Sequence, residues 1–307
     1  MRGHAQSMED DDNPMPDTMS EAEKTAAIVR LLTLDKQTDN HFLGHRKPGG
    51  VGRIFGGQVV AQAMAAAQST VDPARRPHSL HAYFLRGGDE DYRIEFSVER
   101  DFDGGSFSNR RVIAAQNGVP ILNLTASFHR HEDGLSHQMP MPDVRMPEEL
   151  ETEEEVMARL ARPIKEMIAF RRNRAYEIRM PPITAEGTLH DRDHAYFWFR
   201  IKSPLPDDMA MHRLVLAYLS DYGLLSAPMT VHGRAWWRGG FRGASLDHAV
   251  WFHSDARMDD WVLYAMDSPW SGNARGFGRG MFFTRDGQLI ASTAQEGLMR
   301  VVEPKSA

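Results

Sequence analysis

The 307-residue chain writes the same grammar twice, a helix followed by several long strands, and that duplication constrains its fold more than any other feature. In the first copy Phe55-Gly56-Gly57-Gln58 opens an alanine-rich helix over 59–67, which stops before Asp72-Pro73. Strand-like runs follow at 79–85, 92–99, 110–115 and 120–129. Asn117-Gly118 between the last two is a hairpin signal, because both residues tolerate the positive φ of a primed turn. The second copy opens with a strand over 195–201 and a helix over 208–220. Strands are predicted next at 245–253, 261–266, 279–284 and 288–293, with Asp286-Gly287 at the last turn. The likeness reaches single residues. Ser79-Leu80-His81-Ala82 parallels Ser245-Leu246-Asp247-His248-Ala249, and Ile121 with Ala126 parallels Ile290 with Gln295. A repeat of this length marks a duplicated domain and not a solenoid of short units. One helix per antiparallel sheet is an α+β layer architecture.

Composition narrows the function. Lys and Arg total 36 against 42 Asp and Glu, a formal charge of −6, which argues against a general nucleic-acid binder. There is no cysteine, so a disulfide framework, a cysteine nucleophile and a zinc-thiolate site are excluded together. No metal or cofactor is expected. No apolar run approaches the ~18 residues that span a bilayer, and no apolar signal core follows a basic start. A cytoplasmic protein is the expectation. Residues 1–23 read as a disordered acidic tail, with Glu9, Asp10, Asp11, Asp12, Asp17, Glu21 and Glu23 opposed only by Arg2. The first repeat then occupies 24–130 and the second 189–307. Between them, 131–188 reads as a linker carrying an amphipathic helix that lies over a domain surface: Pro140, Pro142 and Pro147 precede six glutamates between Glu148 and Glu155, and Val156, Leu160, Ile164 and Met167 recur at helical spacing.

Two polar residues break apolar patterns in the second repeat. Met211, Leu214, Tyr218 and Asp221 fall three and four apart, so the carboxylate of Asp221 ends an apolar stripe that should face the sheet. A carboxylate aimed at a core is costly unless it is hydrogen-bonded or functional; the plainer alternative is a helix-terminal residue turned back to solvent before Gly223. Leu289, Ala291, Thr293 and Gln295 share one strand face by period two, and the first repeat has Ala126 where the second has Gln295. A satisfied buried amide is the alternative there. Ser245 on its own is a strand-opening hydroxyl. Asp207 and His212 form an Asp-x4-His pair that resembles the acid/base pair of hotdog-fold hydratases, although the favoured reading is that Asp207 or Asp208 caps the helix. No Gly-x-Ser-x-Gly elbow and no nucleotide-binding glycine loop occurs.

Phe55-Gly56-Gly57-Gln58, the run Leu246-Asp247-His248-Ala249-Val250-Trp251-Phe252-His253, Asn273-Ala274-Arg275-Gly276 and Ala291-Ser292-Thr293-Ala294-Gln295-Glu296-Gly297 together resemble the acyl-CoA thioesterase II family over about 27–302. The resemblance implies a tandem double hotdog, each half a long helix wrapped by an antiparallel sheet. It also implies a catalytic set of Asp, Ser or Thr, and Gln, which falls on Asp221, Ser245 and Gln295. The implied reaction is water attack on a fatty acyl-CoA thioester, giving free fatty acid and CoA, with one active site per chain. A hydratase working through Asp207 and His212 and a non-catalytic acyl-CoA binding protein are the competing readings. Arg110, Arg111, Arg275 and Arg279 are candidate partners for CoA phosphates, and Gly57 is a candidate oxyanion donor. A homodimer or larger homo-oligomer is expected, since hotdog sheets often pair across subunits. The C-terminal Lys305-Ser306-Ala307 is not the peroxisomal Ser-Lys-Leu.

Overall fold

The structure, a computed structural model, describes residues 19–159, 174–184, 194–235 and 240–302. It opens with a helix whose first turn falls within the segment read as an acidic tail. Ser20 caps α1 (Glu21–Leu32) through a box in which its hydroxyl takes the Glu23 N–H and Glu23 reaches back to the Ser20 N–H. Residues 1–18 lie outside the described residues. Two short strands, β1 (Asp35–Lys36) and β2 (His41–Leu43), lead to α2 (Gly56–Gln68). The first sheet continues with β3 (Arg75–Phe84), β4 (Glu95–Asp103), β5 (Phe107–Gln116) and β6 (Val119–Arg130). The connection supplies β7 (Glu151–Thr152), α3 (Glu153–Arg159) and β8 (Tyr176–Met180). The second repeat comprises β9 (His194–Ile201), α4 (Met209–Ser220), α5 (Ser226–Val231), β10 (Phe241–Ser245), β11 (Asp247–Phe252), β12 (Val262–Gly272), β13 (Arg275–Thr284) and β14 (Leu289–Val301).

Among the described residues these strands form one antiparallel sheet in the order β1-β2-β4-β5-β6-β3-β11-β14-β13-β12-β9-β8-β7, with β10 also on β14. The two half-sheets meet at β3 and β11, where the parallel motifs of the sequence pair with one another: Ser79 opposite Trp251, Leu80 opposite Val250, Ala82 opposite His248. Their helices pack together inside the curved sheets. Helix α2 is buried from Gly57 to Ala67, which suits a helix that is apolar nearly all round and made of small residues. Its contact with α4 is as close as backbones allow. A Cβ on Gly57 would lie 2.1 Å from the Tyr218 carbonyl oxygen, so only glycine fits. This is the double hotdog arrangement.

The repeats share register down to their irregularities. Each carries a bulge just before its last hairpin turn, between Ala114 and Ala115 in one and between Phe282 and Phe283 in the other. Beyond the bulges Arg110 stands opposite Ala126, and Gly278 stands opposite Gln295. Asn117 and Gly118 have the positive φ values of 50° and 74° that their hairpin requires. Asn273 and Ala274, at 50° and 56°, make a turn of the same kind one hairpin earlier in the second repeat, between β12 and β13.

The connecting segment differs from a plain linker. Tyr176–Met180 forms strand β8 on β9 because Tyr176, Ile178 and Met180 are apolar at period two and bury against the second repeat. Met141, Val144 and Met146 pack over Trp198, Leu263 and Phe283 on the outer face of the second sheet. Trp198 Nε1 donates to the Arg145 carbonyl at 2.9 Å, and Gln138 bonds Gly287 and Leu289. Val156 and Met157 of α3 are buried, while Leu160, Pro163, Ile164 and Met167 lie outside the described residues. No helix among the described residues is long and apolar enough to cross a membrane.

Candidate functional site

Asp221 follows the last turn of α4, whose apolar stripe carries it to the α2 N-terminus and not out to solvent. A Cβ on Gly56 would sit 2.6 Å from Asp221 Oδ2, so the paired glycines let the carboxylate touch the start of α2. There it accepts a hydrogen bond from the Gly57 N–H. Ser245 ends β10, where the chain breaks at Leu246 before resuming as β11; its Oγ lies 3.4 Å from Asp221 Oδ1. Gln295 is 2% exposed on the inward face of β14 and donates from Nε2 to Ser245 Oγ at 2.5 Å. The three residues singled out by sequence thus meet at one point.

Their electrostatics follow from burial. Desolvation pushes the Asp221 carboxyl up to about 7, against the pull of hydrogen bonds from Gln295, Gly57 and Ser245. Its acidity therefore lies near neutrality, where a carboxylate can both take up and release a proton.

Behind these residues sits a layer that the sequence reading assigned no role. His248, on the inward face of β11, places Nδ1 2.8 Å from Gln295 Oε1 and Nε2 2.7 Å from Ser220 Oγ. Burial holds the imidazole down at about 4, so it is neutral in the working range. Tyr264 donates to the Ser220 carbonyl at 2.8 Å and meets Thr293 Oγ1 at 2.8 Å. The signal for His248 was present, since period two along β11 sends His248 and Val250 to the same buried face.

The remaining candidates are engaged elsewhere. Asp208, not Asp207, caps α4, accepting the Ala210 N–H at 2.9 Å. Asp207 is 93% exposed and pairs with Arg257 at 3.0 Å, whereas His212 is buried and accepts the Met258 N–H at its Nδ1. The two take separate partners on the adjacent residues Arg257 and Met258, and no hydrogen bond joins them among the described residues, so the hydratase pair is not assembled. All four candidate arginines pair with carboxylates: Arg110 with Asp103, Arg111 with Glu99 and Asp101, Arg275 with Glu296, and Arg279 with Asp267. The Gly57 amide, named as an oxyanion donor, is given instead to Asp221.

Comparison with known proteins covers both repeats. The acyl-CoA thioesterase family matches residues 166–298, and the acyl-CoA thioesterase N-terminal domain matches residues 45–129. The chain is 36% identical to acyl-CoA thioesterase 2 of Haemophilus influenzae over 90% of its own length and 98% of that protein. It is 35% identical to human acyl-coenzyme A thioesterase 8, covering 91% of this chain and 90% of the relative. The crystal structure of an acyl-CoA thioesterase II from Mycobacterium marinum superposes with a TM-score of 0.74 at 36% identity, covering 92% of this chain and all of that one.

Proposed function

Because the chain belongs to the acyl-CoA thioesterase II family, we propose that it hydrolyses fatty acyl-CoA to free fatty acid and CoA through Asp221, Ser245 and Gln295. One observation carries the residue assignment: a carboxylate raised to about 7 faces a hydroxyl and an amide at hydrogen-bond distance of each other. Asp221 accepts a proton from water as that water attacks the thioester carbonyl. Ser245 and Gln295 hold the water in line, which removes its orientational freedom before the reaction. As the C–S bond breaks, the proton held by Asp221 passes to the departing thiolate, which restores the carboxylate. The N-terminus of α2 points at the same place, and its dipole favours the negative charge that develops on the carbonyl oxygen.

The test is thiol release from acyl-CoAs of graded chain length, read with a thiol reagent; the protein has no cysteine to contribute background. Asp221→Asn should lower turnover about 100-fold or more with the fold intact. Asp207→Ala should leave turnover near that of the unchanged enzyme, because its carboxylate lies in solvent with Arg257. Equal activity of Asp221→Asn would remove that residue from the role of base. No thiol release from a folded protein would favour an acyl-CoA binding protein instead. The same proposal includes self-association, supported by Tyr83 at 62% and Leu85 at 43% exposure near the seam of the two sheets; sedimentation measures it.

A further inference from the structure

We propose that His248 is a positioning residue, which holds the Gln295 amide with its NH2 turned toward Ser245 and Asp221. The inference rests on the reading of those three residues given above. The two ends of a glutamine amide are nearly identical in size, so packing cannot decide which faces the carboxylate; only hydrogen-bond polarity can. With the oxygen turned inward, Gln295 would set an acceptor against Ser245 and Asp221, and the attacking water would lose a donor.

The neighbour on the far side of the amide is His248, 2.8 Å from Gln295 Oε1. A neutral imidazole carries one proton, and the tautomer is set by what its two nitrogens meet; Nδ1 meets the amide. Nε2 meets Ser220 Oγ, 2.7 Å away and 0% exposed at the end of α4. The Ser220 hydroxyl has a single proton, which the Ala217 carbonyl at 2.9 Å also draws, so the polarity is fixed from the other end. The ionised Asp221 carboxylate only accepts, Ser245 donates to it and receives the Gln295 NH2, and the Oε1 left facing His248 calls for the ring proton on Nδ1. The amide oxygen is thereby drawn to His248. The polarity then runs one way toward the carboxylate: His248 to Gln295, Gln295 to Ser245, and Ser245 to Asp221. A chain of aligned donors ending on a carboxylate is mutually reinforcing. His248 is 1% exposed behind Gln295, so it acts through the amide and not on the substrate.

The experiment compares His248→Leu, which keeps much of the volume but no donor, with His248→Asn, whose amide nitrogen falls near the lost Nδ1. His248→Leu should lower kcat by about 10- to 100-fold with KM changed little, the usual effect of removing a group that orients a first-contact residue. His248→Asn should recover most of that loss. In a Gln295→Leu background, His248→Leu should cost nothing further, because the residue through which it acts is gone. Three results overturn the proposal: an unchanged kcat in His248→Leu, no recovery in His248→Asn at an unchanged melting temperature, or full additivity with Gln295→Leu. Should His248→Leu fail to fold, His248→Gln replaces it, since its amide reaches toward Ser220 and leaves Gln295 without its donor; activity equal to that of His248→Asn then sinks the idea. Full turnover in Asp221→Asn would instead indict the base assignment, which the cycle with Gln295 reads separately.

Discussion

In the proposed mechanism one aspartate sets how turnover responds to pH. Asp221 is charged only above about 7, so kcat/KM should rise with pH through that value and fall off in acid as the base is protonated. A pH–rate profile measures this, and an acid limb near the 3.8 of an ordinary aspartate would show that the reacting carboxylate is not held up near 7. The sign for stability runs the other way. A folded-state value raised above the unfolded one stabilises the fold fully below the unfolded value and loses that contribution as pH rises through about 7. Asp221→Asn, which carries no charge at any pH, should therefore melt at or above the unchanged protein at pH 8, and a melting temperature several degrees lower would contradict this. Asp221 and Gln295 were legible in the sequence because each is a polar residue on an apolar face whose direction periodicity reveals. The Gly57 N–H was expected to serve an oxyanion and not Asp221, since the partner of a backbone group is set by how two helices meet. Period two places His248 on the buried face of β11, but its contact with Gln295 on the neighbouring strand does not follow from spacing.

Elements were legible where their ends are marked. The helix over 208–220 starts at a real cap, Asp208, and the hairpin at Asn117-Gly118 has the dihedrals its residues announce. Boundaries set by partners were not: the expected strand over 245–253 is two, because β10 pairs only with β14 while β11 bridges β14 and β3. Strand β8 was hidden among prolines and arginines, and gains its place from Trp198 and Phe199 on the neighbouring strand. At the turn after β12, Ala274 holds φ of 56°, a region costing a residue with a Cβ about 1 kcal/mol or more relative to glycine. Ala274→Gly should thus raise the unfolding free energy by about 0.5–1 kcal/mol, less what the freer unfolded chain gives back, as urea denaturation would show. Gly57→Ala is the opposite case. Its methyl group collides with the Tyr218 carbonyl, so α2 must shift, and a loss of about 1–3 kcal/mol together with a fall in turnover is expected.

At the scale of the whole molecule the two halves are alike in trace and unlike at one point. Where the second has Gly278 and Gln295, the first has Arg110 and Ala126, and the Arg110 guanidinium fills that interior, bonding Thr70 Oγ1 at 2.8 Å, the Thr70 carbonyl at 3.1 Å and Asp103. Arg110→Met should cost about 2–4 kcal/mol of stability, because buried acceptors lose their donor. Turnover per folded molecule should stay within about twofold, the residues proposed to react lying in the other half. A large kcat loss at full stability would show that the halves are coupled. The joining of β3 to β11 within one chain makes this division of labour heritable. In a pair of identical half-length subunits every mutation appears twice, and a residue that plugs one cavity plugs both. Once both halves are encoded separately, an arginine can harden one while a glycine and a glutamine are kept in the other, so selection for durability and selection for catalysis no longer compete for the same codon.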